Sequence, residues 1–249
     1  MSSDDLFDRP AQWRLEAIRH LGLTGEERIA GCVSGAGYPQ ALVPIADALR
    51  SCRCVCDVGS GLGGASVWLA ECADVEVIAV EPEWRSGRAA VELFASLPVV
   101  VGDAGCLPLR AGSVDGVTML GVLSLIADAT SVLAEALRIV RPGGVVGITD
   151  LWAASPGAGE DPASDNDFHT VEQLTASLQR VGARVLDVSA VPVGGSRRWD
   201  LIGERVDDEI TAAHADDEGF GAWRDDRQRL RAGIEDGALH AATVIARRR

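Results

Sequence analysis

One feature constrains this chain most: an apolar run ending in an acidic residue, a glycine-rich turn, and then a helix. The residues are Val55-Cys56-Asp57-Val58 followed by Gly59-Ser60-Gly61-Leu62-Gly63-Gly64. Glycine lacks a Cβ, so such a turn can take backbone conformations closed to other residues and can bring the main chain close to a ligand. Residues 65–72 then read as a helix whose first N–H groups point at whatever lies over the turn. The spacing of Gly59, Gly61 and Gly64 also fits G-x-G-x-x-G, so the turn alone suits a dinucleotide as well as an adenosyl group.

Later stations separate the two. Residues 75–80 form a β-rich run ending at Glu81, and a carboxylate at a second strand tip can accept both ribose hydroxyls. A third apolar run, 99–102, leads into Asp103-Ala104. Leu107-Pro108-Leu109 and Ser113-Val114-Asp115-Gly116-Val117 follow, and then Leu137-Arg138-Ile139-Val140-Arg141-Pro142-Gly143-Gly144 before a fifth strand at 145–150. In this order the five stations resemble the class I S-adenosylmethionine-dependent methyltransferases of small-molecule, natural-product type.

The resemblance implies an α/β fold: a Rossmann-like, seven-stranded, mostly parallel sheet with helices on both faces and a helical cap insertion. It implies S-adenosyl-L-methionine as cofactor and S-adenosyl-L-homocysteine as product. Asp57, Gly59, Gly61 and Gly63, with Ser60 in the same turn, would take the methionine part. Glu81 would take the ribose, and Asp103 with Ala104 the adenine. Pro82 would pack on the ring, with Trp84 either beside it or on the core face of a helix, and Leu120 and Gly121 would meet the cofactor through backbone groups. Many relatives place an acidic residue and a histidine just after strand four. Here that segment reads Leu120-Gly121-Val122-Leu123-Ser124-Leu125-Ile126, without a side-chain base. A nicotinamide oxidoreductase shares the glycine turn and Glu81 but gives no role to Asp103 or to the 141–144 turn.

Strands alternating with helices between 53 and 190 predict a parallel sheet covered on both faces, with ligands beyond the carboxyl ends of its strands. The 249 residues are expected to form one domain: an N-terminal lid helix and loop over 1–40, a cofactor-binding core over 41–190, a cap insertion over 191–240 and a last strand with tail over 241–249. A helical period marks 12–21, residues 31–39 read as a loop, and 199–236 as two amphipathic cap helices before a strand at 241–246. The Pro/Gly/Asp-rich segment 153–168 is expected to border the acceptor.

Base candidates for the acceptor are His169, Asp150, His214 and His20; His169 also suits a helix-capping region and His214 a solvated helix. Tyr38 is expected near the sulfonium or packed under the lid. Trp152, Trp199 and Arg197 are expected to line the acceptor pocket, with Arg197 and Arg198 either clamping an anionic substrate group or edging a solvated lid. Closure of the cap is expected to serve acceptor binding and water exclusion more than cofactor affinity.

A formal net charge of -14 disfavours nucleic acid as a partner, because phosphates require a clustered basic face. All 23 basic residues are arginine, the pattern of a GC-rich bacterial coding sequence, and 247–249 read as a solvated basic tail. No apolar run reaches membrane-spanning length and no leader pattern opens the chain, so a cytoplasmic protein that makes no membrane contact is expected. The six cysteines lack paired metal-ligand spacing. Cys52, Cys54 and Cys56 alternate along strand one, as buried hydrophobes on a single face would, so no metal is expected. The partners expected are a small-molecule acceptor and, compatible with the sequence, a second copy in a homodimer. Two alternatives stay open beside methyl transfer: a non-methylating reaction such as cyclisation, and a non-enzymatic S-adenosylmethionine-binding regulator.

Overall fold

The computed structural model describes residues 3–33, 39–159, 166–191 and 196–249. Seven strands build one sheet: β1 (Cys54–Val58), β2 (Glu76–Glu81), β3 (Val99–Val101), β4 (Val114–Leu120), β5 (Val140–Ala153), β6 (Ala183–Ala190) and β7 (Leu239–Arg248). Their order across the sheet is β3-β2-β1-β4-β5-β7-β6. All neighbours pair in parallel except β7, which runs antiparallel to both β5 and β6.

The helices are α1 (Ser3–His20), α2 (Gly25–Cys32), α3 (Pro39–Leu49), α4 (Gly64–Ala73), α5 (Trp84–Leu93), α6 (Ala129–Ile139), α7 (Val171–Arg180), α8 (Arg197–His214) and α9 (Phe220–Glu235). Because side chains alternate along a strand, β1 feeds two cores. Cys56 and Val58 pack under α6 and α7, while Val55 packs under α3 and α4. Local chemistry sets the helix starts: Asp128 caps α6 by accepting from Ser131 N at 3.1 Å, and Thr170 with Gln173 forms a capping box at α7.

A third core lies away from the sheet, where Trp13 and Ile18 of α1 and Ile29 of α2 meet Ile202, Val206 and Ile210 of α8 and Phe220 of α9. The segment between β6 and β7 is thus two helices, with apolar faces turned onto α1 and α2.

Several expectations need correction. Residues 25–32 are helical rather than partly loop, and α1 begins at Ser3 rather than near 12. β5 extends to 140–153, beyond the expected 145–150, because Val140 pairs with Val114 of β4 at its start and β7 pairs with it as far as Ala153. Residues 247–249 are not a free tail. Arg247 and Arg248 belong to β7, and their guanidinium groups donate to the Gly143 and Leu137 carbonyls at 2.9 Å. These acceptors lie in the last turn of α6 and in the turn after it, where carbonyls have few donors of their own. Cys52 does not share a face with Cys54 and Cys56: it precedes the strand and packs into the α3/α4 core.

Candidate active site

The site forms where β1, β2, β3 and β4 end side by side. β1 runs out at Val58 and the chain turns at Gly59, with φ of +72°. The N–H groups of Gly59 and Ser60 donate to the Val80 carbonyl at 2.8 and 3.2 Å, which pins the turn to β2. Gly61 and Gly63 are also left-handed, at φ of +54° and +78°, and Gly63 caps α4. A Cβ on Gly59 would lie 2.5 Å from the Val122 side chain, so the turn leans on the segment after β4. A Cβ on Gly61 or Gly121 would meet nothing within 4 Å, which leaves open space above both.

The acidic residues of the three strand ends differ in availability. Asp57 is 1% exposed. Its carboxylate accepts from Ser66 Oγ at 2.5 Å, in the first turn of α4, and from Thr118 Oγ1 at 2.7 Å, on β4. Burial is the largest influence on its carboxyl and pushes it up to about 6, against the lowering effect of the two hydroxyls. Asp57 was expected among residues touching the methionine part. Its side chain instead lies beneath the turn and ties strand, turn and helix together. Ser66 and Thr118 were not foreseen, although a threonine inside an otherwise apolar strand is the signal of a buried polar partner.

Glu81 ends β2, with Oε2 accepting from Gly61 N at 2.7 Å and Oε1 from Glu83 N at 3.1 Å. Burial is again the largest influence and raises its pKa, opposed by these two N–H groups. Each carboxylate oxygen keeps a further lone pair for a ligand hydroxyl. Asp103 is exposed, and its Oδ1 accepts from Gly105 N at 2.6 Å, which leaves Oδ2 turned to solvent beside Ala104. Pro82 is exposed as well. Trp84 is 62% exposed at the start of α5, which excludes the core-face reading.

The donors and the space fit an adenosyl cofactor. Ser60 Oγ is buried without a hydrogen-bond partner in the turn, Gly61 and Gly121 leave a cradle, and Glu81 and Asp103 offer acceptors at successive strand ends. Leu120 and Gly121 are half-buried beside the turn, with Gly121 N donating to Thr149 O at 2.8 Å.

The acceptor-side candidates are less united. Asp150 is 1% exposed, and its carboxylate accepts from the backbone N–H groups of Leu123 at 2.8 Å, Ser124 at 3.1 Å and Leu151 at 2.8 Å and from the Ser124 hydroxyl. It shapes the 3-10 turn Leu123–Leu125 after β4, and desolvation raises its pKa. A carboxylate so enclosed has no open oxygen for a reacting proton, which corrects its placement as a base. Trp152, 1% exposed, donates its indole N–H to Ala242 O at 3.0 Å. Trp199, 3% exposed, packs in the α1/α2/α8 core. Both were expected to line a pocket and are core residues instead, because each has an apolar surface to cover and a carbonyl or carboxylate within reach of its N–H; for Trp199 that partner is Glu26.

His169 is half-buried in a cleft of about 280 Å³ between α6 and α7. Its Nε2 lies 3.0 Å from the Ile126 carbonyl. A carbonyl only accepts, so Nε2 carries a proton and the bond fixes the ring's orientation. Arg197 is apart from it, on the outer face of α8, beside Glu27, Leu201 and Arg205 around an open depression of about 660 Å³. Arg198 pairs with Glu26 at 2.8 Å. His20, at the exposed end of α1, bonds to Glu209, whereas His214 bonds to Asp217 and stacks on the Trp13 ring at 5.4 Å between centroids, so it is half-buried rather than a solvated helix residue. Tyr38 lies outside the described residues. Among the described residues no cluster of three or more His, Cys, Asp or Glu could hold a metal ion, and no helix is long and apolar enough to cross a membrane.

Residues 56–148 match a family model described as a methyltransferase domain. Dimethylglycine N-methyltransferase of Parasynechococcus marenigrum is 34% identical over 151 residues, which cover 57% of this chain and 52% of that protein. The chain therefore spans about half the length of that relative. Two solved structures share the fold. Phosphoethanolamine N-methyltransferase 2 of Haemonchus contortus, in complex with S-adenosyl-L-methionine, superposes with a TM-score of 0.70 at 18% identity, over 100% of this chain and 60% of that one. The [4+2]-cyclase SpnF superposes with 0.68 at 20% identity, over 94% and 93%. The glycine turn and the carboxylates ending β2 and β3 all fall inside the matched stretch, so residues 56–148 are similar in sequence and in site layout to a methyltransferase domain.

Proposed function

We propose that this protein transfers the methyl group of S-adenosyl-L-methionine to a small-molecule acceptor, in the cytoplasm and in bacterial secondary metabolism. One observation carries the reading: the glycine turn, Glu81 and Asp103 stand at the carboxyl ends of three adjacent parallel strands. The cofactor supplies an already activated methyl on its sulfonium. The work left to the chain is to hold and orient. The turn presents the α4 N-terminus and Ser60 Oγ, Glu81 accepts ribose hydroxyls and Asp103 Oδ2 accepts the adenine amino group. Alignment and water exclusion can supply ~7–11 kcal/mol of the barrier. With Asp150 enclosed, the side-chain base candidate that fits is His169, whose ring the Ile126 carbonyl orients through Nε2.

A net charge of -14 supports a partner other than nucleic acid. A second reading, cyclisation without methyl transfer, is favoured by the lack of a side-chain base over 120–126. Calorimetry tests the cofactor: S-adenosyl-L-homocysteine should bind in the micromolar range, about -8 kcal/mol, and NADH should not. Binding of NADH as tight or tighter would sink the reading. Incorporation of an isotope-labelled methyl into a small-molecule product then separates transfer from cyclisation, whose product has unchanged mass.

A further inference from the structure

Arg14 is a charged residue inside a core. Only 7% of it is exposed, among the apolar faces of α1, α2 and α8. One guanidinium nitrogen donates to Gly31 O, in the last turn of α2, at 2.9 Å, and another to Asp207 Oδ1, on α8, at 2.8 Å. The second oxygen of Asp207 accepts from Arg227 of α9, and Arg227 lies 5.1 Å over the Trp223 ring. Desolvation acts to lower the Arg14 pKa and the Asp207 charge opposes it. A buried ion pair of this kind fixes geometry more than it adds stability.

The far end of this chain of contacts is the cofactor turn. α2 abuts the start of α4 so closely that a Cβ on Gly64 would stand 2.7 Å from both Ile29 O and Cys32 Cβ. Leu62, inside the turn, is buried in the same core as Trp13, Ile202 and Val206. The cap thus touches the glycine turn twice, through the Arg14 bond to α2 and through the shared apolar core.

We infer that Arg14 is a positioning residue that couples the α8–α9 cap to the glycine turn, so that an ordered cap and a bound cofactor favour one another. The inference rests on the cofactor reading above and departs from the expectation that the cap serves the acceptor more than the cofactor. Linkage makes the effect reciprocal: whatever loosens the cap weakens the cofactor by the same factor.

Removing Arg14 outright endangers the fold, so the variants act from the cap side. Asp207→Asn withdraws the shared charge and Arg227→Met withdraws the α9 contact. Arg224→Gln, on an exposed pair with its neighbour Asp225, serves as control. In the full chain, Asp207→Asn and Arg227→Met should weaken S-adenosyl-L-homocysteine about tenfold, with near-UV circular dichroism retained and the control unchanged. Hydrogen exchange of the ligand-free protein should speed up not only over 197–235 but also over 29–33 and 63–67. Arg14→Lys, which keeps the charge but cannot reach both acceptors, should fall between wild type and Asp207→Asn. The coupling is overturned if exchange accelerates in the cap alone while 63–67 keeps its protection and affinity stays within twofold. If wild type itself does not bind the cofactor, the functional reading fails while the exchange measurement still decides the coupling.

Discussion

Asp57 turns the architecture of the turn into a pH-dependent stability. Its carboxyl is fully enclosed between Ser66 and Thr118, with no cation beside it, and its pKa stands at about 6 against the ordinary 3.8. A folded pKa above the unfolded one means that the folded state holds the proton more tightly. The associated stability is therefore complete below about pH 4 and is lost as the pH rises through about 6. The difference corresponds to about 3 kcal/mol, at about 1.4 kcal/mol for each factor of ten. Asp57→Asn removes the charge at nearly constant shape. One hydroxyl must then turn to accept from the amide and find another acceptor for its own hydrogen; for Ser66 the carbonyls three and four residues back, in the glycine turn, are within its reach. The expected net gain is about 1–3 kcal/mol at pH 8, shrinking toward zero near pH 4. Urea denaturation of both proteins across this range measures the difference, in which titrations common to the two cancel. A variant less stable than wild type at pH 8, or a gap that does not vary with pH, would refute the account of a buried, uncompensated carboxylate.

Glu81→Ala and Asp103→Ala should each weaken S-adenosyl-L-homocysteine by ~0.5–3 kcal/mol in calorimetry, with ordinary melting curves; unchanged affinity in both would show the adenosyl group to lie elsewhere. Gly64→Ala pushes a methyl against Ile29 O and Cys32 Cβ, both at 2.7 Å, and should lower stability by ~1–3 kcal/mol in denaturant titration. Arg248→Ala strips the Leu137 carbonyl of a donor and should cost about 1 kcal/mol in the same assay, whereas a neutral result would restore the picture of a solvated tail.

The parallel core was legible in the chain's local pattern, and so was the set of candidates for the cofactor end of the site. Those features are local: apolar runs of strand length, glycines at a turn that needs positive φ, and carboxylates at the tips of consecutive runs. Glu81 and Asp103 could be located because a residue at the end of a parallel strand faces the ligand edge whatever the rest of the chain does.

Which polar and aromatic groups stay available depends on packing between distant elements. Asp57 and Asp150 are as acidic in sequence as Asp103, yet their oxygens are taken by Ser66, Thr118 and the N–H groups of Leu123, Ser124 and Leu151, partners up to 61 residues away. Trp152 and Trp199 carry no sign in the sequence of the surfaces that bury them. The role of Arg14 depends on Asp207, 193 positions distant, and on the stacking of α2 against Gly64. Burial removes water as a partner, so the availability of a charged or indole group depends on who else can reach it, and that is fixed by packing between elements rather than by the pattern within one.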